Sequence, residues 1–146
     1  MNYNKLVGST GEGVACGYLM EKGYKILFRN YATKFGELDI ITKSPDKTLV
    51  FCEVKSLLLK RKGSGNKVES YPQQSGNKVE NLWQTNYTPE DNMSASKIKK
   101  FKKIAQWYAN QNNNLIDESV GYRLDLIAVE LSDVDAPIIR HYENIS

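Results

Sequence analysis

The sequence predicts one α/β or α+β domain over residues 1–146, built as a mixed β-sheet flanked by helices. With 146 residues, 40% of them hydrophobic and 25% charged, the chain has the size and composition of a single globular domain. Apolar runs of strand length alternate with two longer stretches of helical spacing, in the order α-β-β-β-α-β-β. A helix between a hairpin and the next strand returns the chain to a parallel neighbour, so we expect a mixed sheet.

The first half of the chain predicts a helix, a strand and a β-hairpin. The helix is expected to begin at Thr10, whose side chain can cap it, and to end near Gly23. A strand is predicted over YKILF, residues 24–28. The apolar runs LDIIT and TLVFCEV follow, separated by KSPDK, whose Pro and Asp are turn formers. These two runs predict the hairpin.

The segment from about residue 60 to residue 93 is predicted to be a flexible insertion. It is rich in Gly, Ser, Asn, Gln and Pro, and SGNKVE occurs in it twice. A segment of this length without periodicity is usually either functional or disordered. Two interpretations stay open: a mobile arm that contacts nucleic acid through its lysines and through Trp83 or Tyr87, or a tolerated disordered insertion.

The second half predicts a basic helix and two closing strands. In SASKIKKFKKIAQWYANQ the apolar residues Ile98, Phe101 and Tyr108 share a stripe that lysines surround. The strands are predicted in YRLDLIAVEL and PIIRHYENI. Asp125 is expected to pair with Arg123, and His141 is expected to be structural.

Charge and composition exclude several classes of protein. No apolar run approaches the roughly 18 residues that span a bilayer, and MNYNKLVGST lacks the apolar core of a signal peptide, so we expect a cytoplasmic protein without a membrane partner. Two cysteines and one histidine are too few for a disulfide framework or a Cys/His zinc site. Eleven Lys/Arg against four Asp/Glu between residues 54 and 103 suit a polyanion, although a solvated lysine-rich helix has the same composition.

The hairpin carries three charged residues among apolar neighbours. If it is symmetrical about Asp46, then Asp39 lies opposite Glu53 with β carbons about 4.5–5.5 Å apart, and Lys55 shares the face of Glu53. One interpretation is a water-facing patch that the lysine neutralises. Both strands are apolar on both faces, which favours buried carboxylates that hold a hard cation such as Mg²⁺. Such an ion can activate water at a phosphate, so the predicted chemistry is metal-assisted phosphodiester hydrolysis.

The order of Asp39, a spacer and Glu53-Val54-Lys55 resembles the D…(D/E)XK signature of the restriction-endonuclease-like nucleases. A wider set of motifs is similar to the bacterial YraN-like family, which is itself similar to archaeal Holliday-junction resolvases. These motifs are Gly11-Glu12, GELDII from residue 36, FCEVK from residue 51, Lys97 and Arg123-Leu124-Asp125. The αβββαβ core of those nucleases also matches the predicted order of elements.

The resemblance implies a site that binds Mg²⁺ or Mn²⁺. Asp39, Glu53 and the carbonyl group of Val54 would be metal ligands, and Lys55 would be the catalytic lysine. Glu12 would complete the acidic site, although the helix dipole equally explains a carboxylate in a first helical turn.

Further residues are candidates for contacts to nucleic acid. Lys97 could reach a phosphate, as could Lys60 and Arg61, but an exposed lysine needs no such role. By resemblance, the family carries an arginine two positions after the lysine, where this chain has Leu57; Arg61 is the candidate replacement.

The function predicted is that of a Mg²⁺-dependent endonuclease that cuts structured or branched DNA in repair or recombination. A homodimer is the simplest way to supply two sites for a junction. One alternative is a nucleic-acid-binding module on the same fold, with a weak or silent site. Another is a protein-interaction domain in which the acids and the lysine form a structural ion-pair cluster.

Overall fold

Six strands of the described residues form one mixed β-sheet at the centre of the protein. The computed structural model describes the backbone of residues 3–61, 68–72 and 88–146. The strands are β1 (Lys25–Thr33), β2 (Gly36–Lys43), β3 (Leu49–Arg61), β4 (Val68–Pro72), β5 (Tyr122–Ser132) and β6 (Ile138–Tyr142). Their spatial order is β1-β2-β3-β5-β6, with β4 paired to the second half of β3. Because β3 and β5 are parallel and the other described pairs are antiparallel, the predicted mixed sheet is confirmed.

Two α-helices pack on the sheet and form two separate hydrophobic cores. Helix α1 (Tyr3–Glu21) packs through Val7, Ala15, Cys16 and Leu19. Helix α2 (Ala95–Gln111) packs in the second core through the stripe predicted from its sequence, which includes Phe101, Ile104 and Tyr108. None of the helices in the described residues is long and apolar enough to span a membrane.

The start of α1 differs from the prediction. The helix begins at Tyr3, and Thr10 lies inside it, where its hydroxyl group donates to the carbonyl oxygen of Leu6 at 2.9 Å. Thr10 therefore satisfies its side chain within the helix, as Ser and Thr commonly do four residues after a carbonyl. The prediction of an N-cap at Thr10 was wrong, and Glu12 is not in the first turn.

Two strands also extend the predicted pattern. Strand β1 continues to Thr33 through Asn30, which has φ 51°, a conformation that Asn tolerates better than most residues. Strand β4 falls inside the predicted insertion, and its residues pair with β3 from Leu57 to Arg61. Most of the rest of that insertion lies outside the described residues.

The β2–β3 hairpin has the predicted register. Ile40 pairs with Cys52 and Thr42 pairs with Val50, which is the symmetry about Asp46 expected from KSPDK. Asp46 orders the turn, because its carboxylate accepts hydrogen bonds from Ser44 Oγ and from the Thr48 backbone N–H. The predicted hairpin is confirmed, but its described pairing ends at Ile40 and Cys52, so the direct pair of Asp39 with Glu53 expected from the sequence is not among the paired residues.

Glycine at position 11 allows α1 to approach β3 closely. A β carbon built at Gly11 would lie 1.7 Å from Ser56 Oγ and 2.6 Å from Ser56 Cβ, and Ser56 is buried. We expect Gly11→Ala to lower the free energy of unfolding by about 1–3 kcal/mol through overpacking. Urea unfolding measures this change.

The same helix supplies a control for this prediction. A β carbon at exposed Gly13 meets nothing within 4 Å, so Gly13→Ala should raise stability by up to about 1 kcal/mol through helix propensity. Equal effects of the two substitutions would contradict the close approach at Gly11.

Candidate functional site

The candidate site lies where β3 changes partner along one of its edges. On this edge β3 pairs with β2 as far as Cys52 and with β4 from Leu57 onward. Residues 53–56 are not paired with any described strand on this edge, while β5 pairs with them along the opposite edge. The sheet therefore opens a window of four residues beside Glu53 and Lys55.

Asp39 reaches into this window from β2. Its Oδ2 accepts a hydrogen bond of 2.8 Å from the Val54 backbone N–H, in place of a backbone partner. In an extended strand, the N–H and C=O groups of one residue point to the same edge of the strand. The Val54 carbonyl group therefore also faces the window, as expected for the oxygen ligand that the resemblance implies.

Glu53 and Lys55 form an ion pair at the same place. Lys55 Nζ lies 3.0 Å from Glu53 Oε1, and the Lys55 and Glu53 side chains are only 17% and 19% exposed, respectively. Burial raises the pKa of Asp39 well above its usual value, and the negative charge of Glu53 raises it further. The structure thus brings together the two carboxylates and the lysine that the sequence singled out.

Glu12 approaches the site from α1. It lies in the middle of the helix, one residue after the contact of Gly11 with Ser56. Burial raises the pKa of Glu12, and the charges of Glu37 and Glu53 add to the shift, while Asn30 and Arg29 oppose it. The charge of Glu12 in turn contributes to the raised pKa of Asp39. Because Glu12 is not in the first turn of α1, the helix-dipole interpretation does not apply, and Glu12 instead acts on the charge of Asp39.

Lys97 lies near the site at the start of α2. Burial lowers the pKa of Lys97, and electrostatic repulsion from the ammonium group of Lys55 lowers it further. The backbone of Lys60 and Arg61 belongs to β3, but their side chains lie outside the part of the structure that is described. A phosphate contact from either residue stays a prediction.

The donor set suits a hard cation, although it is small. In the described residues, no group of three His, Cys, Asp or Glu side chains is arranged to hold a metal ion. Two carboxylates with a backbone carbonyl are nevertheless sufficient for Mg²⁺, which keeps several waters and takes substrate phosphates as ligands. The pKa of Asp39 is raised first by burial and then by the charge of Glu53, so a bound cation would favour its ionised form. The residues present fit a divalent ion completed by water or phosphate.

Comparison with known proteins places the chain in a family. A model described as "Uncharacterised protein family UPF0102" matches residues 11–129. The chain belongs to this family.

Three UPF0102 proteins illustrate the similarity. One from Bifidobacterium longum is 30% identical over 141 residues, covering 96% of this chain and 92% of the relative. One from Thermotoga petrophila is 49% identical over 74 residues, or 51% of this chain and 61% of the relative. One from Campylobacter lari is 57% identical over 51 residues, or 35% of this chain and 45% of the relative. The predicted resemblance to the YraN-like family is confirmed.

A second polar cluster of this UPF0102 chain surrounds Asp125, which is completely buried. Its carboxylate accepts two hydrogen bonds from Arg123, at 2.8 and 2.9 Å, one from the Asn144 backbone N–H at 3.0 Å, and contacts His141 Nε2 at 2.7 Å. Burial opposes ionisation, but these partners outweigh it and hold the pKa of Asp125 below its usual value. The predicted pairing with Arg123 is confirmed, and the cluster ties β5 to β6.

A cleft of about 480 Å³ opens beside this cluster, lined by residues that include Tyr18, Lys22, Tyr24 and His141. Tyr18 contacts His141 Nδ1 at 3.3 Å, and the Tyr24 hydroxyl accepts from Arg123 at 2.9 Å. Sequence reasoning did not find this cleft, because its side chains come from α1, the α1–β1 turn, the β2–β3 turn, β5 and the end of the chain from β6 onward. No local motif unites them.

Proposed function

We propose that this UPF0102 chain is a metal-dependent endonuclease of the restriction-endonuclease-like superfamily, acting on structured or branched DNA. One observation supports the proposal above the others: Asp39, Glu53 and Lys55 meet at a gap in the sheet where Val54 also offers its carbonyl group. A salt-bridge cluster of purely structural value would not need an opening in the central strand.

Each residue of the candidate site would have a separate role in the reaction. Asp39, Glu53 and the Val54 carbonyl would hold Mg²⁺ or Mn²⁺, with Glu12 close enough to influence their charge. Such an ion lowers the pKa of a bound water and neutralises charge on a phosphate. Lys55 can donate to the attacking water or to a phosphate oxygen, because its ammonium group lies beside Glu53. Lys97, at the start of α2, would contact the neighbouring phosphate.

A second candidate function is nucleic-acid binding without cleavage. It is favoured by the absence, within the described residues, of a set of three metal-ligating side chains already in place. Calorimetric titration with Mn²⁺ separates the two candidates, because a binding module has no need of the ion.

Cleavage of a panel of linear, flapped and four-way-junction DNA tests the proposed function. We expect cleavage in Mg²⁺ or Mn²⁺, none in EDTA, and a preference for branched substrates. A homodimer would supply the two sites for symmetric junction cleavage, and light scattering with bound junction tests this part of the proposal. A cytoplasmic location follows from the proposed substrate. Failure to cut any substrate with either metal would favour the binding module.

A further inference from the structure

Three exposed lysines continue from the candidate site along α2 to the β1–β2 turn. We call Lys34, Lys100 and Lys103 the lysine ridge. Lys97, Lys100 and Lys103 are spaced by three residues, so they follow one flank of the helix at steps of about 4.5 Å. The ridge therefore continues from Lys97, at the start of α2, and leads away from the candidate site.

The lysine side chains of the ridge lie against the β1–β2 turn. A methyl group added at Gly36 would lie 3.2 Å from Lys100 Cε and 3.5 Å from its Nζ. Lys103 Nζ lies 4.8 Å and Lys34 Nζ 5.1 Å from the centre of the Phe35 ring. Phe35 packs edge to face on Trp107, at 6.1 Å between ring centres. Two ammonium groups thus share one ring on a packed surface.

The described residues supply no carboxylate partner for the ridge. None of its three lysines takes part in an ion pair within those residues. The acids that precede α2 are engaged elsewhere, since Glu90 binds Arg140 and Asp91 binds Thr88. Glu37, next to Gly36, contributes instead to the charge around Glu12. A row of like charges held close together without acids is the arrangement expected of a surface for a polyanion.

We propose that the lysine ridge binds the phosphate backbone of duplex DNA on one side of the cleavage point. This rests on the proposed function, since it assigns the substrate arm that leads into the same site. The aromatic rings nearest the ridge, Phe35 and Trp107, are partly buried and pack on each other, and the ammonium groups of Lys34 and Lys103 lie over the Phe35 ring. Single-strand binding relies on the stacking of bases on aromatic rings, whereas duplex binding relies on phosphate contacts.

Binding of duplex DNA in EDTA tests the inference without any cleavage. The variant is Lys34→Gln/Lys100→Gln/Lys103→Gln, and the matched control is Lys5→Gln/Lys25→Gln/Lys47→Gln, three exposed lysines outside the ridge. Fluorescence anisotropy from 50 to 200 mM salt gives the slope of log affinity against log salt. We expect the ridge variant to lose about 3 from the magnitude of this slope and to bind on the order of 10²-fold more weakly at 0.1 M salt. The control should keep the slope of the unmodified protein.

Several outcomes would overturn the inference. The first two are an unchanged salt slope in the ridge variant and an equal loss of slope in the control variant. The other two are no binding of duplex DNA by the unmodified protein, and a larger effect of the ridge substitutions on single-stranded than on duplex DNA. Thermal unfolding of both variants at the unmodified midpoint shows that the substitutions leave the fold intact. Hydrolysis of a small phosphodiester, bis-p-nitrophenyl phosphate, reports on the catalytic site alone. If the unmodified protein hydrolyses the phosphodiester and the ridge variant keeps the salt slope, the ridge is rejected and the proposed function is kept. If the unmodified protein does not hydrolyse it but the salt slope depends on the ridge, the proposed function is rejected and the ridge is kept.

Discussion

Lys55→Met is expected to reduce single-turnover cleavage of the preferred DNA by about 10²- to 10³-fold, the usual effect of removing one positioned donor at a site of developing charge. Methionine retains the apolar length of the half-buried side chain and removes only the ammonium group. The Lys55 and Glu53 side chains are only 17% and 19% exposed, so loss of the ammonium group leaves the Glu53 carboxylate without its partner, and the free energy of unfolding should fall by about 1–3 kcal/mol.

Lys25→Met is the matched control for this substitution. Lys25 is exposed and lies at the start of β1, where it pairs with Lys43 at the end of β2 farther from Asp39. Its replacement should leave cleavage unchanged. A Lys55→Met protein that is folded and cleaves at the unmodified rate would remove Lys55 from the mechanism.

Asp39→Asn is expected to stabilise the metal-free protein and to abolish its response to metal. The amide oxygen can still accept from the Val54 N–H, while the charge repelled by Glu53 is lost. We expect a gain of about 1 kcal/mol or more in the free energy of unfolding at neutral pH, the lower end of the cost of a poorly compensated buried polar group. Saturating Mg²⁺ or Mn²⁺ should then stabilise the unmodified protein but not the variant.

The pH dependence of this effect has a defined sign. Folding raises the pKa of Asp39, so the contribution of its protonated form to stability is complete below the ordinary aspartate pKa. That contribution is lost as the pH rises through the pKa of the folded state. The advantage of Asp39→Asn should therefore grow from acidic to neutral pH in EDTA. Asp133→Asn, at an exposed aspartate, serves as the control, and an equal pH profile for both variants would contradict the charge repulsion at Asp39.

The site could be predicted from the sequence to the extent that one hairpin determines it. The KSPDK turn fixes the register as far as Ile40 and Cys52, and Asp39, the next residue of β2, interacts electrostatically with Glu53 and Lys55. The apolar stripe of α2 was equally evident, because its period is that of a helix. The Arg123–Asp125 pair is local in sequence and was predicted for the same reason.

Features that depend on distant contacts were missed. The start of α1 at Tyr3 gives no strong signal, since Leu6 is exposed and Thr10 imitates a cap. Strand β4 arises in a segment of turn-forming composition because the second half of β3 offers it an edge. The bond of Arg140 to Glu90 likewise joins residues that lie 50 positions apart in the chain. Such partners can be found only once the topology is known.

The window in β3 also affects the risk of aggregation. A central strand that loses its neighbour exposes backbone groups with which another chain could pair. Here the opening is only about 13 Å long, because β2 and β4 close it at both ends, and four residues are too few for a stable added strand. Asp39 occupies one of its donors, and Glu53 and Lys55 add charges that oppose sheet growth. The gap in strand pairing thus offers no template for intermolecular β-pairing, and Val54 and Ser56 within it are buried.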